Sequence, residues 1–108
     1  MAETGGGLLL VMMDIDPAHE EEFNRWYWEE HVPERLGIPG FVSARRFKAV
    51  EGQPRYLALY ELESPAVLDS EVYRHFLEGE GETEWTRRML GRVTGFVRNV
   101  YVELLPPG

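Results

Sequence analysis

The segment MDIDPA, Met13 to Ala18, returns in altered form as YELESPA, Tyr60 to Ala66, with the two Pro-Ala pairs 48 positions apart. Each copy passes from an apolar stretch through an acid and a capping residue, Asp16 or Ser64, into Pro-Ala and an amphipathic run. Asp and Ser side chains accept from the free N–H groups of a first helical turn, and proline suits the first helical position. Both copies therefore read as a strand entering a helix. The same connection used twice in so short a chain restricts the topology severely.

The rest of the order follows by periodicity. Leu8 to Asp14 is apolar on both faces, as a central strand should be. Glu20, Glu21 and Glu22 sit early in the first helix, where its dipole favours negative charge. Phe23, Tyr27 and His31 recur every four residues and share one stripe. Pro33 lacks an N–H and crowds the carbonyl four residues back, so the regular helix is expected to end near His31. Strands are expected at Phe41 to Val50, at Arg55 to Leu62 and at Val93 to Leu104. The second strand of these puts Tyr56, Ala58 and Tyr60 on one side and Leu57 and Leu59 on the other. Val67, Leu68, Val72, Phe76 and Leu77 form the apolar side of the second helix, which EGEGE at Glu78 to Glu82 interrupts. Thr83 caps a further short helix. The order β-α-β, repeated, is the ferredoxin-like α+β arrangement βαββαβ, a four-stranded antiparallel sheet with helices on one face.

At 108 residues the chain suits one domain, expected over residues 8–105, with tails at 1–7 and 106–108. Apolar residues occupy both parities of the strands. The face without helices is then too apolar to leave in water, which predicts a homodimer closed through it. With eleven basic residues against nineteen acids and a net charge of −8, the chain lacks the basic face that nucleic acid or an anionic membrane requires. Its longest early apolar run, Leu8 to Met13, is too short to span a bilayer, and no positive leader segment precedes it. The absence of cysteine removes disulfides and thiolate metal sites and suits a reducing, cytoplasmic setting. No phosphate loop, serine elbow or paired metal-ligating spacing is present, so neither a metal nor a cofactor is expected.

The run FNRWYWEEHVPERLGIPGFVSARRF, Phe23 to Phe47, resembles the EthD-like proteins of the dimeric α/β-barrel superfamily. The similarity extends over residues 8–104. It implies a pocket between the sheet and the first helix, with the match to the family's histidine falling on His31. The superfamily holds many unrelated activities, so the resemblance names no substrate.

His31 is the candidate catalytic group, because imidazole exchanges a proton near neutral pH. A helix end would favour its cation, and Glu30 or Glu34 would fix its tautomer. Tyr27 shares its stripe and offers a hydroxyl. Trp26 is expected in the core and Trp28 on another side of the helix. Phe23, Trp28, Arg45, Tyr60 and Trp85 are the candidate substrate-binding residues, Trp85 as part of a flap over the pocket. Arg45 and Arg46 point to opposite sheet faces, so one of them approaches the interior, where a substrate carboxylate or phenolate or a Glu61 or Glu103 side chain would pair with it. His75 is weighed as a haem ligand, and His19 as solvated.

These parts suit a small cofactor-free enzyme of lyase, isomerase or cyclase type acting on an apolar aromatic or polyketide-like molecule. The alternatives are a cofactor-independent monooxygenase of phenols and a non-catalytic ligand-binding dimer.

Overall fold

A computed structural model of the chain describes residues 4–77 and 82–107. Strand β1 (Thr4–Ile15) leads through a 3-10 turn at Pro17–His19 into α1 (Glu20–Trp26). A π-turn, Tyr27–His31, joins α1 to α2 (Val32–Leu36). Strands β2 (Phe41–Lys48) and β3 (Tyr56–Leu62) follow. A 3-10 turn at Pro65–Asp69, α3 (Glu71–Leu77), α4 (Glu84–Leu90) and β4 (Val93–Leu104) complete the chain. The sheet is antiparallel throughout with order β2-β3-β1-β4, the expected ferredoxin-like arrangement.

Capping chemistry sets the helix starts. Asp16 Oδ1 accepts from the Ala18 N–H at 2.8 Å, Ser64 Oγ from Ala66 at 3.2 Å, and Thr83 Oγ1 from Thr86 at 3.1 Å. The proline after each of the first two caps begins a 3-10 turn, and regular helix starts only at Glu20 and Glu71. β1 opens at Thr4, so residues 4–7 belong to the sheet, where a loose tail was expected. β2 stops at Lys48, short of Val50.

Register assigns the two sheet faces. Leu9, Val11 and Met13 stand opposite Tyr60, Ala58 and Tyr56 of β3, and all six are buried beneath the helices. Phe23, Trp26, Tyr27, Val32 and Ile38 cover them from the α1–α2 side, and Met89 from α4. On the second helix the buried side chain is Tyr73, while Val72 faces outward. The side chains of Phe76 and Leu77 and the interruption expected from Glu78 lie outside the described residues. The other face presents Leu8, Leu10, Met12, Leu57 and Leu59, flanked by Phe47 and Tyr101, and nothing in the chain's described residues covers it. Among the described residues no helix is long and apolar enough to cross a membrane.

Candidate functional site

The first helix does not end at His31. It widens there. The Val32 N–H bonds to Tyr27 O, five residues back, and α2 then carries the chain past Pro33 to Leu36. The expectation that the helix stops assumed an unbroken α ladder, in which proline meets the carbonyl four residues earlier. One π-turn reroutes that ladder, and turns of this kind concentrate at functional sites.

The turn places His31 inside the protein. The imidazole is 6% exposed, stacks on the Trp26 indole with centroids 4.6 Å apart, and meets Tyr27 edge-on at 4.9 Å. Its Nδ1 is buried without a hydrogen-bond partner. Burial holds its pKa well below the usual imidazole value, and the Arg35 and Arg46 cations push it the same way. The ring is therefore neutral at pH 7, contrary to the cation expected of a helix end. Neither glutamate fixes its tautomer. Glu30 Oε2 instead accepts from Trp26 Nε1 at 3.2 Å and from Thr86 Oγ1 at 2.8 Å, with Thr83 Oγ1 as a third donor. This knot clamps α1 to α4. Burial, with Glu30 nearby, raises the pKa of Glu34.

Two phenols and a guanidinium complete the cluster. Tyr27 and Tyr60 are both buried, and burial raises the pKa of each. They lie close enough to influence each other's ionisation, yet the Tyr60 hydroxyl has no partner of hydrogen-bonding geometry. Arg46 stands opposite Ala58 in the register, and that small neighbour leaves space for the guanidinium over the sheet. Its carbon lies 4.2 Å from the Tyr27 ring centroid, with Phe23, Tyr56 and Trp28 at 5.6 to 5.7 Å. Burial lowers its pKa.

Of the residues expected at the site, the fold brings His31, Tyr27, Phe23 and Tyr60 together under the helices. Arg45 faces the opposite side of the sheet, over the Phe47 ring, so the arginine that reaches the interior is Arg46. Neither forms an ion pair with Glu61 or Glu103 among the described residues. Trp85 belongs to α4 and anchors it, donating from Nε1 to Glu22 at 3.1 Å, while Arg25 rests over its ring. Glu22 also pairs with Arg88 and Arg92 at 2.8 and 2.9 Å, which holds its carboxyl at about 2. Trp28 is half exposed and lines a hollow of about 180 Å³ between α1 and the sheet, with Asn24, Arg46, Phe47, Lys48 and Tyr56. A wider hollow, about 480 Å³, lies at the far end of β1, bounded by Asp14, Asp16, Lys48, Glu51 and Arg55. His31 lines neither. No cluster of three or more His, Asp or Glu side chains suited to a metal occurs among the described residues.

Three solved structures illustrate the fold's company. A dimeric ferredoxin-like protein from an uncultured marine organism shares 19% identity, covering 95% of this chain and 91% of its own, with a TM-score of 0.69. The haem degrader MhuD of Mycobacterium tuberculosis, solved with two haems in its active site, shares 14% over 94% and 99%, with a TM-score of 0.71. A protein from Bordetella bronchiseptica assigned as an antibiotic biosynthesis monooxygenase shares 14% over 95% and 99%, with a TM-score of 0.68. At such identities the likeness is one of fold. It agrees with the EthD-like resemblance at that coarser level, the ferredoxin-like fold. No curated protein matches the chain.

A haem needs an axial ligand opening on an apolar cavity. His75 is exposed on α3, and His31 is packed against Trp26, so the described residues do not fit one. The family model described as a domain of unknown function, DUF4286, matches residues 7–101, and the chain belongs to that family.

Proposed function

We propose that this chain is a small-molecule enzyme whose reacting centre is the buried cluster of His31, Tyr27, Tyr60 and Arg46. The observation that carries the reading is the unpartnered Nδ1 of His31, a neutral imidazole packed against the Trp26 indole and the Tyr27 phenol, with the Arg46 cation near enough to act on it. Buried polar atoms are nearly always bonded, and an exception calls for a reason, a catalytic role among them. A neutral imidazole can accept a proton. Buried, and next to Arg35 and Arg46, it does so weakly, because its cation would be desolvated and would face two others. An acidic aromatic or polyketide-like substrate changes this balance. Its anion, resting on Arg46, cancels one opposing charge and makes His31 a stronger base, while a tyrosine hydroxyl donates to the developing oxyanion. Proton removal next to a carbonyl, followed by elimination, isomerisation or ring closure, requires no further group.

A second reading shares that first step. The solved neighbours include proteins assigned as antibiotic biosynthesis monooxygenases, which favours oxygenation of an electron-rich phenol. There the phenolate itself reduces dioxygen: phenol and O₂ give quinone and water, one oxygen atom passing to each product.

In either case the enzyme works as a homodimer. The sheet face of Leu8, Leu10, Met12, Leu57 and Leu59 is apolar and bare, and a second copy is its natural cover. The site is cofactor-free and the protein cytoplasmic.

The test is turnover of aromatic and polyketide-like acids by the purified protein and by His31→Ala, with dioxygen consumption followed in parallel. Loss of at least a hundredfold in the variant is expected. Activity within a few-fold of the parent overturns the role of His31. Consumption of dioxygen in step with product selects the second reading.

A further inference from the structure

We propose that the hollow between α1 and the sheet binds the ring of a small aromatic carboxylate, Arg46 taking the carboxylate and Trp28 and Tyr56 flanking the ring. This deepens the reading above, on which it rests for the chemistry though not for the binding.

Arg46 is the first ground. Its Nη2 donates to Asn24 Oδ1 at 2.8 Å, but its Nε is buried without an acceptor. No carboxylate lies within ion-pair distance of it among the described residues, in a chain with nineteen acids. A guanidinium presents donors in a planar fork that matches the two oxygens of a carboxylate. Here part of that fork is desolvated and unused, and the residue lines an open hollow.

The hollow's size and walls are the second ground. A cavity of ~150 Å³ accepts benzene, so about 180 Å³ suits a single ring and its acid group. Trp28, half exposed, and Tyr56 supply aromatic surface, the kind of wall on which a flat ring stacks. Lys48 adds a second cation at the rim. Its Nζ is 3.8 Å from Glu20, whose carboxylate is held more closely by Arg55 at 2.9 Å, so Lys48 is only loosely engaged. A neutral ring would leave the guanidinium without a counter-ion; a carboxylate in the hollow would supply one.

The experiment follows the three indole N–H resonances in ¹H–¹⁵N spectra of the whole protein during titration with benzoate and, separately, benzyl alcohol. The Trp28 resonance is identified by its loss in Trp28→Phe. The expected result is a saturable shift of Trp28 with benzoate, leaving Trp26 unmoved in its bonds to Glu30 and Thr86. Benzyl alcohol should need at least tenfold more for the same shift. Arg46→Gln should raise the benzoate midpoint at least tenfold; because Arg46 is packed among four rings and its loss threatens the fold, Lys48→Gln at the rim is tested beside it, with a two- to fivefold rise expected. Equal response to acid and alcohol, a midpoint unchanged in the variants that fold, or no saturable shift of Trp28 overturns the assignment. None of these readouts depends on turnover, so failure of the site and failure of the proposed chemistry are distinguishable.

Discussion

The His31 ring lies flat against the Trp26 indole, 4.6 Å between centroids and 25° between planes, although the two residues are five apart in one helix. At ~100° per residue an α-helix would set them well apart around its axis. The π-turn closes that angle. A hydrogen bond spanning five residues brings the fifth side chain back over the first.

Pro33 favours the wide turn, because it cannot donate to the carbonyl four residues back and crowds it, so Pro33→Ala should weaken the turn. With an N–H restored, an unbroken α ladder competes, and His31 swings away from Trp26. Its pKa should then rise from well below the usual range toward ~6.5. An NMR titration of the His31 imidazole reads this directly, and an unshifted pKa would show that packing alone holds the turn.

Acid should destabilise the protein in a way that depends on His31. The folded imidazole has a lowered pKa, so below ~6.5 the unfolded chain takes up a proton that the folded chain refuses. Stability is full above that pH and falls as pH drops toward the folded pKa, by up to about 1.4 kcal/mol per pH unit. Urea midpoints at pH 7.5 and 5 should differ more for the parent than for His31→Phe. Parallel losses would remove this residue as the cause.

A separate loss belongs to Glu22. Its pKa of about 2, set first by its hydrogen bond with Arg88, means that stability present above the ordinary carboxylate range is lost as pH falls from ~4.5 toward 2. Glu22→Gln should flatten acid unfolding in that window and leave the pH 5 to 7 limb intact, as followed by circular dichroism.

The clamp around Glu30 should be worth more than a surface pair. Glu30→Leu leaves Thr86, which is buried, without its acceptor and weakens the hold on Trp26 Nε1. A loss of about 1–3 kcal/mol is expected in urea unfolding. A change under 0.5 kcal/mol would mean that packing, not the carboxylate, joins α1 to α4.

Leu59→Glu tests the sheet face. Leu59 stands between Leu10 and Arg45 on the uncovered side. The parent should sediment as a dimer at micromolar concentration, and the variant as a folded monomer. A monomeric parent would end the dimer proposal.

Much of this architecture was legible in the sequence because it rests on local chemistry. Asp16, Ser64 and Thr83 announce their helices through side-chain bonds made within three residues. Strand alternation placed Tyr56, Ala58 and Tyr60 on one face. The helix end was misjudged because the rule for proline presumes a regular ladder, and the turn that evades it is held by distant partners, Thr83 and Thr86. Parity showed that Arg45 and Arg46 diverge, yet which one turns inward depends on pairing with Ala58 and on the irregularity between Phe41 and Ser43. The role of Glu30 left one trace, the Thr83 and Thr86 hydroxyls one turn apart, and their meeting across more than fifty residues needs the fold.

The widened turn also makes chain length informative. It spends five residues where an ordinary turn spends four, so a family member one residue shorter between the positions of Trp26 and Pro33 should run straight through and carry its imidazole on the outside. A gap at that point in an alignment would then divide the family into chains that keep a histidine indoors and chains that have given up whatever it does there.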